Sequence, residues 1–396
     1  MKFLLQMGHG MGDLANELIG KWGEGTVILS PRDQNATALS GSSKKIRSLG
    51  GSVVVDPQFY LPRSNHHRLN GHTYWPTNYQ TSESIDDEVK QMIDKLVSEY
   101  NDSLETEFVI LPGCYAKQVD DQWCLYHKSI VDYGLSKSEG KPVFATIALS
   151  YEVVQSEESI HTLLECISEW NVDGFYIVPE KPRGEYLTQD PIWILNLMDL
   201  CSALYHSKKR VVVGYANHQM FPLVLAGVEG LASGNWMNVR NFSLGRFVNP
   251  EESDMRNSAW YYCPQALSEY QLRFLDIAKR MGVLDVLKTD ESFGSTDAEI
   301  LFSGAQPSAT AFQIRKSFFH YLHTVKVQID GLKRDTYQET KDNIVVIHNT
   351  ASEVLGTVRP KGVRGKYRDF GEVLDVNLAA IDSFDSLRGF VMSQIW

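Results

Sequence analysis

Eight short apolar runs follow one another between Lys2 and Asn235, and most of them are followed by a stretch with helical character. A strand, then a helix, then a strand is the order of parallel α/β architecture, and eight such units are what a closed barrel requires. We therefore predict a (β/α)8 barrel, the TIM-barrel fold. The runs are Lys2 to Met7, Thr26 to Ser30, Ser52 to Asp56, Phe108 to Pro112, Pro142 to Ile147, Gly174 to Val178, Arg210 to Gly214 and Leu231 to Asn235.

The stretches between the runs carry helical patterns. In Ser156 to Asn171, Ile160, Leu163, Leu164 and Ile167 recur at steps of three and four residues, which places them on one face of a helix. Ser156 provides a polar start for that helix. The predicted helices are Asp13 to Trp22, Ile85 to Tyr100, Asp120 to Gly134, Ser156 to Asn171, Pro191 to Ser207 and Met220 to Val228.

The alternation of strand and helix ends near Asn249. We expect two parts: a barrel over residues 1–248 with a long insertion at 61–84, and a mainly α-helical extension over 249–396. Long helical patterns in the extension cover Ser268 to Met281 and Thr310 to Leu332, and an isolated apolar run, Asn343 to His348, comes after them.

Composition excludes several classes of protein. The net charge of −11 opposes non-specific binding to nucleic acid, although a local basic patch such as Arg359 to Arg368 can override it. No segment is long and apolar enough to span a membrane, and Gly8, Gly10 and Asp13 interrupt the amino-terminal run before a signal-peptide core forms. We expect a cytoplasmic protein that has no contact with a membrane.

The cysteines and glycines indicate neither a metal nor a cofactor. The five cysteines have no CxxC spacing, so we predict buried free thiols and no structural zinc. Gly8, Gly10 and Gly12 follow the first strand, but they lack the spacing of a dinucleotide fingerprint, and a tight turn explains them better than a nicotinamide site.

Chemistry in such barrels is built at the carboxyl ends of the strands, where this chain places Asp56, Glu180, Asn217 and Asn235. Asp56 precedes Pro57, which stops the strand and leaves the carboxylate at the rim. It can bind the donors of a purine-like base or move a proton, or it can close a turn. Glu180 can pair with it in glycosidic chemistry, or form a rim salt bridge with a neighbouring cation.

The insertion at 61–84 is rich in aromatic and histidine side chains. Together with Tyr60, its rings suit a flat ligand or an unpaired base, and they can equally form a lid packed on the barrel mouth. His66, His67 and His72 have no accompanying carboxylate or thiolate at metal-ligand spacing, so we expect no metal there.

The order of these motifs resembles that of the tRNA-guanine transglycosylases, barrel enzymes that exchange a guanine for a 7-deazaguanine base in nucleic acid. The likeness covers roughly residues 45 to 282 and rests on three segments. They are GGSVVVDPQFY at 50–60, the strand, helix and strand at 142–180 that end in DGFYIVPE, and RVVVGYANHQMFPLVLAGVEGLASGNWMNVR at 210–240.

The resemblance implies roles for single residues. Asp56 stands where the family has the aspartate that reads the base and handles its proton, and Glu180 falls near the base pocket. Tyr60, Gly214, Asn217 and Asn235 are then base-binding candidates. Arg240, which ends the last of these segments, is a candidate for contact with phosphate or nucleic acid. Outside the region of resemblance, the basic stretch Arg359 to Arg368 makes Arg364 and Lys366 candidates for the same contact, or it forms a solvated turn with two glycines.

The chain departs from the family at two motifs. The family's nucleophilic aspartate falls at Ala232, followed by Ser233, and neither can form the covalent aspartyl-sugar intermediate. The family's zinc motif falls at Tyr262 to Lys279, which supplies only Cys263, so no metal or other cofactor is implied. The chain therefore looks like a divergent paralogue of the type that modifies DNA or belongs to antiviral defence clusters.

Three functions follow as hypotheses. The first is exchange or glycosidic cleavage of a guanine or 7-deazaguanine base in DNA or RNA, with Asp56 as proton shuttle and Glu180 or Glu229 replacing the missing carboxylate. The second is a catalytically inactive module that binds such a base, with a partner protein or as a homodimer. The third is a hydrolase of small glycosides that uses Asp56 and Glu180 as acid and base.

Overall fold

The computed structural model describes residues 1–64, 66–77, 79, 84–138, 140–248 and 258–396. Eight parallel strands form a nearly closed barrel with helices between them, which confirms the predicted fold class. The strands are β1 (Lys2–Gln6), β2 (Thr26–Leu29), β3 (Ser52–Val55), β4 (Val109–Leu111), β5 (Val143–Leu149), β6 (Gly174–Pro179), β7 (Arg210–Val213) and β8 (Gly230–Ser233).

The strand order around the barrel is β3, β2, β1, β8, β7, β6, β5 and β4. In β1, Leu5 pairs with Val27 of β2 on one side and with Ser233 of β8 on the other. β3 and β4 lie at the two ends of this ladder. The backbone amide of Glu107, just before β4, donates to the Val53 carbonyl of β3 at 2.9 Å, so one hydrogen bond joins these two edges of the sheet.

The strands are continuous apolar runs because both of their faces are covered. All seven residues of β5 are buried, as expected for a parallel strand with side chains in the barrel on one face and helices on the other. Parallel pairing also brings every strand's carboxyl end to the same rim. The residues that follow the strands therefore meet at one face of the molecule, called here the upper face.

Helices α1 to α7 connect the strands. Helix α6 begins as predicted, because the Ser156 hydroxyl accepts the Ser159 amide at 3.1 Å and Ile160, Leu163 and Ile167 are buried. The helices are α1 (Gly12–Trp22), α2 (Ala36–Ser48), α3 (Asp87–Lys95), α4 (Asp121–Lys137), α5 (Tyr151–Gln155), α6 (Glu157–Ile167) and α7 (Pro191–His206).

Four connections differ from the sequence prediction, and one of them contains the short helix α5, which was not predicted. Helix α2 was not predicted, because its serine-rich sequence hides a stripe of only three buried residues, Leu39, Ser43 and Ile46. The predicted helix from Ile85 ends as a π-helical turn over Leu96–Asp102. The predicted helix from Met220 is a 3-10 helix, His218–Ala226, that contains Pro222. Proline has no N–H for an α-helical ladder.

Over residues 258–396, the extension contains an antiparallel hairpin, four α-helices and several 3-10 turns. Its elements are β9 (Trp260–Cys263), β10 (Ser268–Gln271), α8 (Leu272–Arg280), α9 (Ile314–Asp330), α10 (Tyr337–Val358) and α11 (Leu374–Ile395). The expected boundary at 249 falls on residues outside the described ranges.

Two predictions in the extension are corrected, one of a helix and one of an isolated apolar run. Ser268 to Met281 was expected to be helical throughout, but Ser268 pairs with Cys263 in the hairpin and the helix begins only at Leu272. The run Asn343 to His348 is not isolated. It lies within α10, because Ile344, His348, Ala351 and Leu355 recur at helical spacing and are buried.

The prediction that all cysteines are free thiols is wrong for two of them. Cys124 in α4 and Cys166 in α6 form a disulfide, with their Cα atoms 5.8 Å apart. Their separation of 42 residues gives no local spacing signal, and only the packing of α4 beside α6 brings them together. Cys114, Cys201 and Cys263 are free.

The extension packs against helices on the outside of the barrel. The Trp22 indole of α1 donates to His323 of α9 at 3.0 Å, and Arg388 of α11 donates to Asp199 of α7. Within the described ranges, no helix is both long enough and apolar enough to cross a bilayer.

Candidate functional site

The carboxylate of Asp56 lies at the upper end of the barrel and is fully buried. It accepts the Tyr60 hydroxyl at 2.8 Å on both oxygens, the Tyr215 hydroxyl at 3.0 Å and the Tyr176 hydroxyl at 3.3 Å. The backbone amide of Gln58 is a fourth donor to this carboxylate, at 2.9 Å. We call Tyr60, Tyr176 and Tyr215 the tyrosine shell.

This environment shifts the protonation of Asp56. Burial raises its pKa to about 6, although the hydrogen bonds from Tyr60, Gln58 and Tyr215 lower it. Desolvation penalises the charged form, and four donors recover only part of the lost hydration. A carboxyl group that titrates near neutrality can hold or release a proton at physiological pH.

The tyrosine shell comes from three different strands. Tyr60 follows β3, Tyr176 lies in β6 and Tyr215 follows β7. Tyr60 is predicted from the sequence, whereas Tyr176 and Tyr215 are not. The strand segment FYIV is uniformly apolar, so no alternation of polarity indicates that Tyr176 faces inward.

Gly214 makes room for the tyrosine shell, and it faces the Tyr176 side chain instead of an open cavity. A β-carbon at Gly214 would lie 2.4 Å from the Tyr176 hydroxyl oxygen, so the glycine allows that hydroxyl to reach Asp56. The base-binding role predicted for Gly214 therefore requires Tyr176 to move.

Aromatic side chains also cover Asp56 from above. The rings of Phe242 and Phe247 pack edge-on against Tyr60, with centroids 5.1 and 4.9 Å away, and all three are buried. The sequence predicted an Asp56 carboxylate open at the rim. The structure corrects this, because tertiary packing closes it under five aromatic rings.

An open pocket lies directly beside this closed centre. It has a volume of about 460 Å³ and is lined on the upper face by residues that follow β3 and β4, together with the start of α4. We call it the aromatic pocket. Its lining includes Tyr60, Arg63, Tyr115, Trp123, Tyr126 and His127.

Two tyrosines in the lining of the aromatic pocket are hydrogen-bonded to the two carboxylates predicted from the sequence. On one side, Tyr60 donates to Asp56. On another, the Tyr115 hydroxyl donates to Glu180, which follows β6 and is half-buried. The Tyr115 amide also donates to the Tyr60 carbonyl at 3.0 Å, which fixes the two tyrosines relative to each other.

Lys181, next to Glu180, is buried, and its ammonium donates to the Tyr186 carbonyl at 2.7 Å. Burial lowers the pKa of Lys181 to about 7. The rim salt bridge considered between Glu180 and a neighbouring cation does not form, since Glu180 is bonded to Tyr115 and Lys181 to a carbonyl.

Two polar side chains of the pocket wall, His127 and Cys114, are uncharged at neutral pH, whereas Arg63, Lys117 and Asp120 supply its charges. His127 accepts the Cys114 amide on Nε2 at 2.9 Å and donates from Nδ1 to the Trp123 carbonyl at 2.8 Å. Burial lowers its pKa to about 4. Burial raises the pKa of the Cys114 thiol to about 12, so that thiol is not a ready nucleophile.

The two predicted asparagines have structural partners. Asn217 caps the following 3-10 helix by accepting the Gln219 amide at 3.0 Å, and it donates to the Tyr186 carbonyl at 2.7 Å. Asn235 donates to the His9 carbonyl at 3.1 Å. Neither lines the aromatic pocket.

The predicted nucleic-acid contacts separate into two groups. Arg240 is buried and pairs with Glu269 at 3.1 Å, which corrects its assignment to a surface contact. Arg368, within the basic stretch, is buried on the same glutamate at 2.6 Å. Arg364 and Lys366 are exposed, as a contact with phosphate would require.

Glu229 cannot replace the missing nucleophile from its present position. It precedes β8, at the lower face of the barrel, and it pairs with Arg210 at 2.6 Å. Ala232, where the family's nucleophile falls, is buried within β8.

The described part of the insertion forms a packed lid, one of the two alternatives left open by the sequence. Tyr74 and Trp75 are buried, and the Tyr74 hydroxyl donates to the Pro57 carbonyl at 2.8 Å. His72 is held between the Tyr100 hydroxyl and the Pro31 carbonyl. Residues 65, 78 and 80–83 of the insertion lie outside the described ranges.

No group of three or more His, Cys, Asp or Glu side chains is arranged to hold a metal ion in the described part of the chain. The three histidines of the insertion have other partners. His66 and His67 stack with centroids 4.9 Å apart, and His72 is hydrogen-bonded as described.

Comparison with known proteins gives only distant likenesses. No protein-family model matches the sequence, and no curated protein matches it. A glucosidase from Croceicoccus marinus has 10% identity, covers 55% of this chain and 54% of its own length, and has a TM-score of 0.35. This chain thus spans about half the length of that glucosidase.

Two other solved structures align over more of their length. A putative fructose-1,6-bisphosphate aldolase from Coccidioides immitis has 8% identity, with 83% of this chain and 88% of that chain covered and a TM-score of 0.36. An endo-1,4-β-xylanase from Caldicellulosiruptor owensensis has 11% identity, with 63% and 90% covered and a TM-score of 0.37. At such values, neither likeness bears on the activity of this protein.

Proposed function

We propose that this protein binds a guanine or 7-deazaguanine base in the aromatic pocket. One observation carries the proposal: the pocket lies at the carboxyl ends of the strands between Tyr60 and Tyr115, whose hydroxyls donate to Asp56 and Glu180. The sequence also predicts both carboxylates as site residues. The motif order of the tRNA-guanine transglycosylases supports the choice of base.

The lining of the pocket suits a flat heterocycle. Tyr115, Trp123 and Tyr126 offer ring faces and edges for stacking, and a volume of about 460 Å³ is within the range of small-ligand sites. We assign Glu180 as the polar partner of the base. Glu180 does not itself line the pocket and is bonded to Tyr115, so this contact requires the Tyr115 hydroxyl to turn away. A carboxylate can accept the ring N–H and the exocyclic amine of a guanine together, in the paired geometry that makes such bonds strong.

Asp56 acts on the base indirectly in this proposal. Its four hydrogen bonds are satisfied within the protein, so it holds Tyr60 in place as one wall of the pocket. A glycoside hydrolase requires two carboxylates that face one cleft, and Asp56 and Glu180 do not meet this requirement. The glycoside hydrolase hypothesis is therefore not favoured.

Binding is favoured over base exchange because exchange requires a protein nucleophile that attacks the sugar. Position 232 carries alanine, and Glu229 lies at the opposite face. A cytoplasmic location and a part in nucleic-acid modification or antiviral defence belong to the same proposal, through the branch of the family that the motifs resemble.

Calorimetric titration with guanine and 7-deazaguanine, with adenine as a negative control, tests the proposal. We expect Glu180→Gln to weaken guanine binding about tenfold or more, because a charge-assisted pair becomes a neutral one. Tyr133→Phe is the matched control, since its hydroxyl also donates to a carboxylate, Asp94 at 3.0 Å, away from the pocket. No guanine binding by the wild type, or equal binding by Glu180→Gln, would overturn the proposal.

A second measurement separates binding from exchange. Labelled guanine is incubated with the protein and with DNA or tRNA, and incorporation into polymer is counted. We expect none. Incorporation that is abolished by Glu180→Gln would replace the binding proposal with the exchange hypothesis.

A further inference from the structure

A second pocket opens at the lower face of the barrel, opposite the aromatic pocket. It has a volume of about 760 Å³ and lies where β1, β7 and β8 begin. Residues after α7 and after α9 complete its wall. We call it the basal pocket. Its charged side chains are Lys2, Lys208, Lys209, Arg210, Lys333 and Glu229, and His206 also lines it.

Positive charge in the basal pocket exceeds negative charge. Glu229 is already engaged, by Arg210 at 2.6 Å and by Lys2 at 3.5 Å. For Lys208, Lys209 and Lys333, no carboxylate lies within ion-pair distance in the described part of the chain. This concentration is notable in a protein with a net charge of −11.

The three lysines that lack a carboxylate face different environments. Lys208 is exposed, and Lys209 donates to the Val172 carbonyl at 2.8 Å. Lys333 lies 4.3 Å from the ring centroid of Trp396. Lys333 is exposed, and partial burial of its ammonium group lowers its pKa.

The helix dipole explains only part of this arrangement. Cations after the carboxyl end of a helix are favourable without any ligand, and Lys208 and Lys209 follow α7. Lys2 comes from β1 and Lys333 from the loop after α9. Cations from separate elements that converge on one concave surface are typical of an anion site.

The floor of the basal pocket is apolar. Tyr205, Val224, Val228 and Ile395 lie beside the lysines, so the pocket combines an apolar surface with a cationic rim. A flat or hydrophobic group attached to phosphate would match both parts. A long polyanion would not, because the site is a pocket and the protein as a whole is acidic.

We propose that the basal pocket binds a phosphorylated small molecule, with its phosphates near Lys208, Lys209 and Lys333 and its apolar part against Tyr205 and Val228. This site is separate from the base site on the upper face. Its occupancy and that of the aromatic pocket can be measured independently.

Calorimetric titrations with ADP and with inorganic pyrophosphate test the proposal at low ionic strength. We expect both probes to bind the wild type, and ADP to bind more tightly because it also contacts the apolar floor. The double variant Lys208→Gln/Lys209→Gln should weaken both by about tenfold or more, since two charged donors are lost. Lys208→Arg/Lys209→Arg should retain binding.

The matched control is Lys44→Gln/Lys45→Gln, which removes two adjacent exposed lysines from α2, outside the basal pocket. We expect it to bind both probes as the wild type does. Thermal unfolding monitored by circular dichroism verifies that each variant is folded. If a variant does not fold, Lys333→Gln takes its place with the same expectation.

Four outcomes would overturn the proposal. They are no binding of either probe, equal weakening in the α2 control, unchanged binding in every pocket variant, and displacement of ADP by a short DNA duplex at lower concentration than by pyrophosphate. The last would identify the surface as a nucleic-acid contact. Guanine binding at the upper face should be unaffected by the lysine variants, so failure here leaves the base-binding proposal standing.

Discussion

At the scale of single residues, Asp56 is the centre of the upper face. Its carboxylate has lost all contact with solvent and is held by the tyrosine shell. Hydrogen bonds from neutral hydroxyls stabilise the charge less than water does, which is why the pKa is raised even with four donors present. The group is therefore close to balance between two protonation states.

The raised pKa of Asp56 predicts a pH-dependent stability. The folded pKa of about 6 exceeds the ordinary aspartate value of 3.8. The protonated carboxyl group therefore stabilises the fold fully below pH 3.8, and this contribution is lost as the pH rises through 6. Between these values, the wild type should lose about 3 kcal/mol of unfolding free energy that Asp56→Asn does not lose. Urea unfolding at several pH values measures this.

Asp382→Asn is the control for that experiment, because Asp382 is exposed on α11. Its pH profile should follow that of the wild type. Parallel profiles for Asp56→Asn and the wild type would contradict the prediction.

Gly214 provides a second residue-scale prediction. Gly214→Ala places a methyl group 2.4 Å from the Tyr176 hydroxyl oxygen, so the tyrosine must leave Asp56 or the strand must shift. We expect a loss of about 1 to 3 kcal/mol in unfolding free energy. Gly12→Ala, whose added β-carbon would have no heavy atom within 4 Å, should cost nothing. Equal stability of the two variants would show that Tyr176 is not held tightly.

At the scale of elements, the Cys124–Cys166 disulfide joins α4 to α6 on the outside of the barrel. Trp123 and His127 of α4 line the aromatic pocket, so the bond also fixes one wall of the candidate site. Helix α4 is held at its start as well, where Asp120 accepts the Trp123 amide at 2.8 Å. That bond lowers the pKa of Asp120.

Loss of this disulfide should destabilise the protein. It closes a segment of 42 residues, and the chain-entropy model gives about 4 kcal/mol for a loop of that length. Urea unfolding of Cys124→Ser/Cys166→Ser should show this loss and no further response to a reducing agent. The wild type should respond to the reductant, and a wild type that does not respond would contradict the prediction.

At the scale of the whole molecule, one buried ion cluster joins the barrel to the extension. Glu269 of β10 pairs with Arg240, which follows β8, and with Arg368 near α11. Tyr186, from the loop after β6, donates to the same carboxylate at 2.6 Å. Burial alone would raise the pKa of Glu269, but the charges of Arg368 and Arg240 outweigh it and lower the pKa to about 2.

Glu269→Gln should therefore be strongly destabilising, by about 3 to 5 kcal/mol, because it leaves two guanidinium groups buried without their anion. Since the folded pKa is lowered, the contribution is present above pH 4.5 and is lost as the pH falls through 2. Glu17→Gln is the control, because its pair with Arg315 is exposed and should contribute less than about 1 kcal/mol. Equal costs for both variants would argue against the cluster as a joint.

Much of this molecule is readable from local sequence. The eight strands begin and end within about two residues of the apolar runs, because continuous burial of a parallel strand requires an unbroken apolar segment. Asp56 and Glu180 follow strands, and the shared direction of the strands places both on the upper face. Helix α2 escaped prediction because its stripe of three buried positions lies among serines and lysines.

The contacts between distant segments could not be read in this way. Asp56 meets Tyr176 and Tyr215, which are 120 and 159 residues away along the chain, and no local pattern encodes such a meeting. The same holds for Arg240 with Glu269 and for Cys124 with Cys166.

The barrel and the chemical groups at its rim can be predicted from the amino-acid sequence, because periodicity and strand direction are local properties. Which of those groups are accessible depends on tertiary packing. Tertiary packing buries Asp56 and Arg240 and leaves the aromatic pocket open beside them. It also brings lysines from separate elements together at the lower face. Burial depends on the packing of all elements at once, which no single segment specifies.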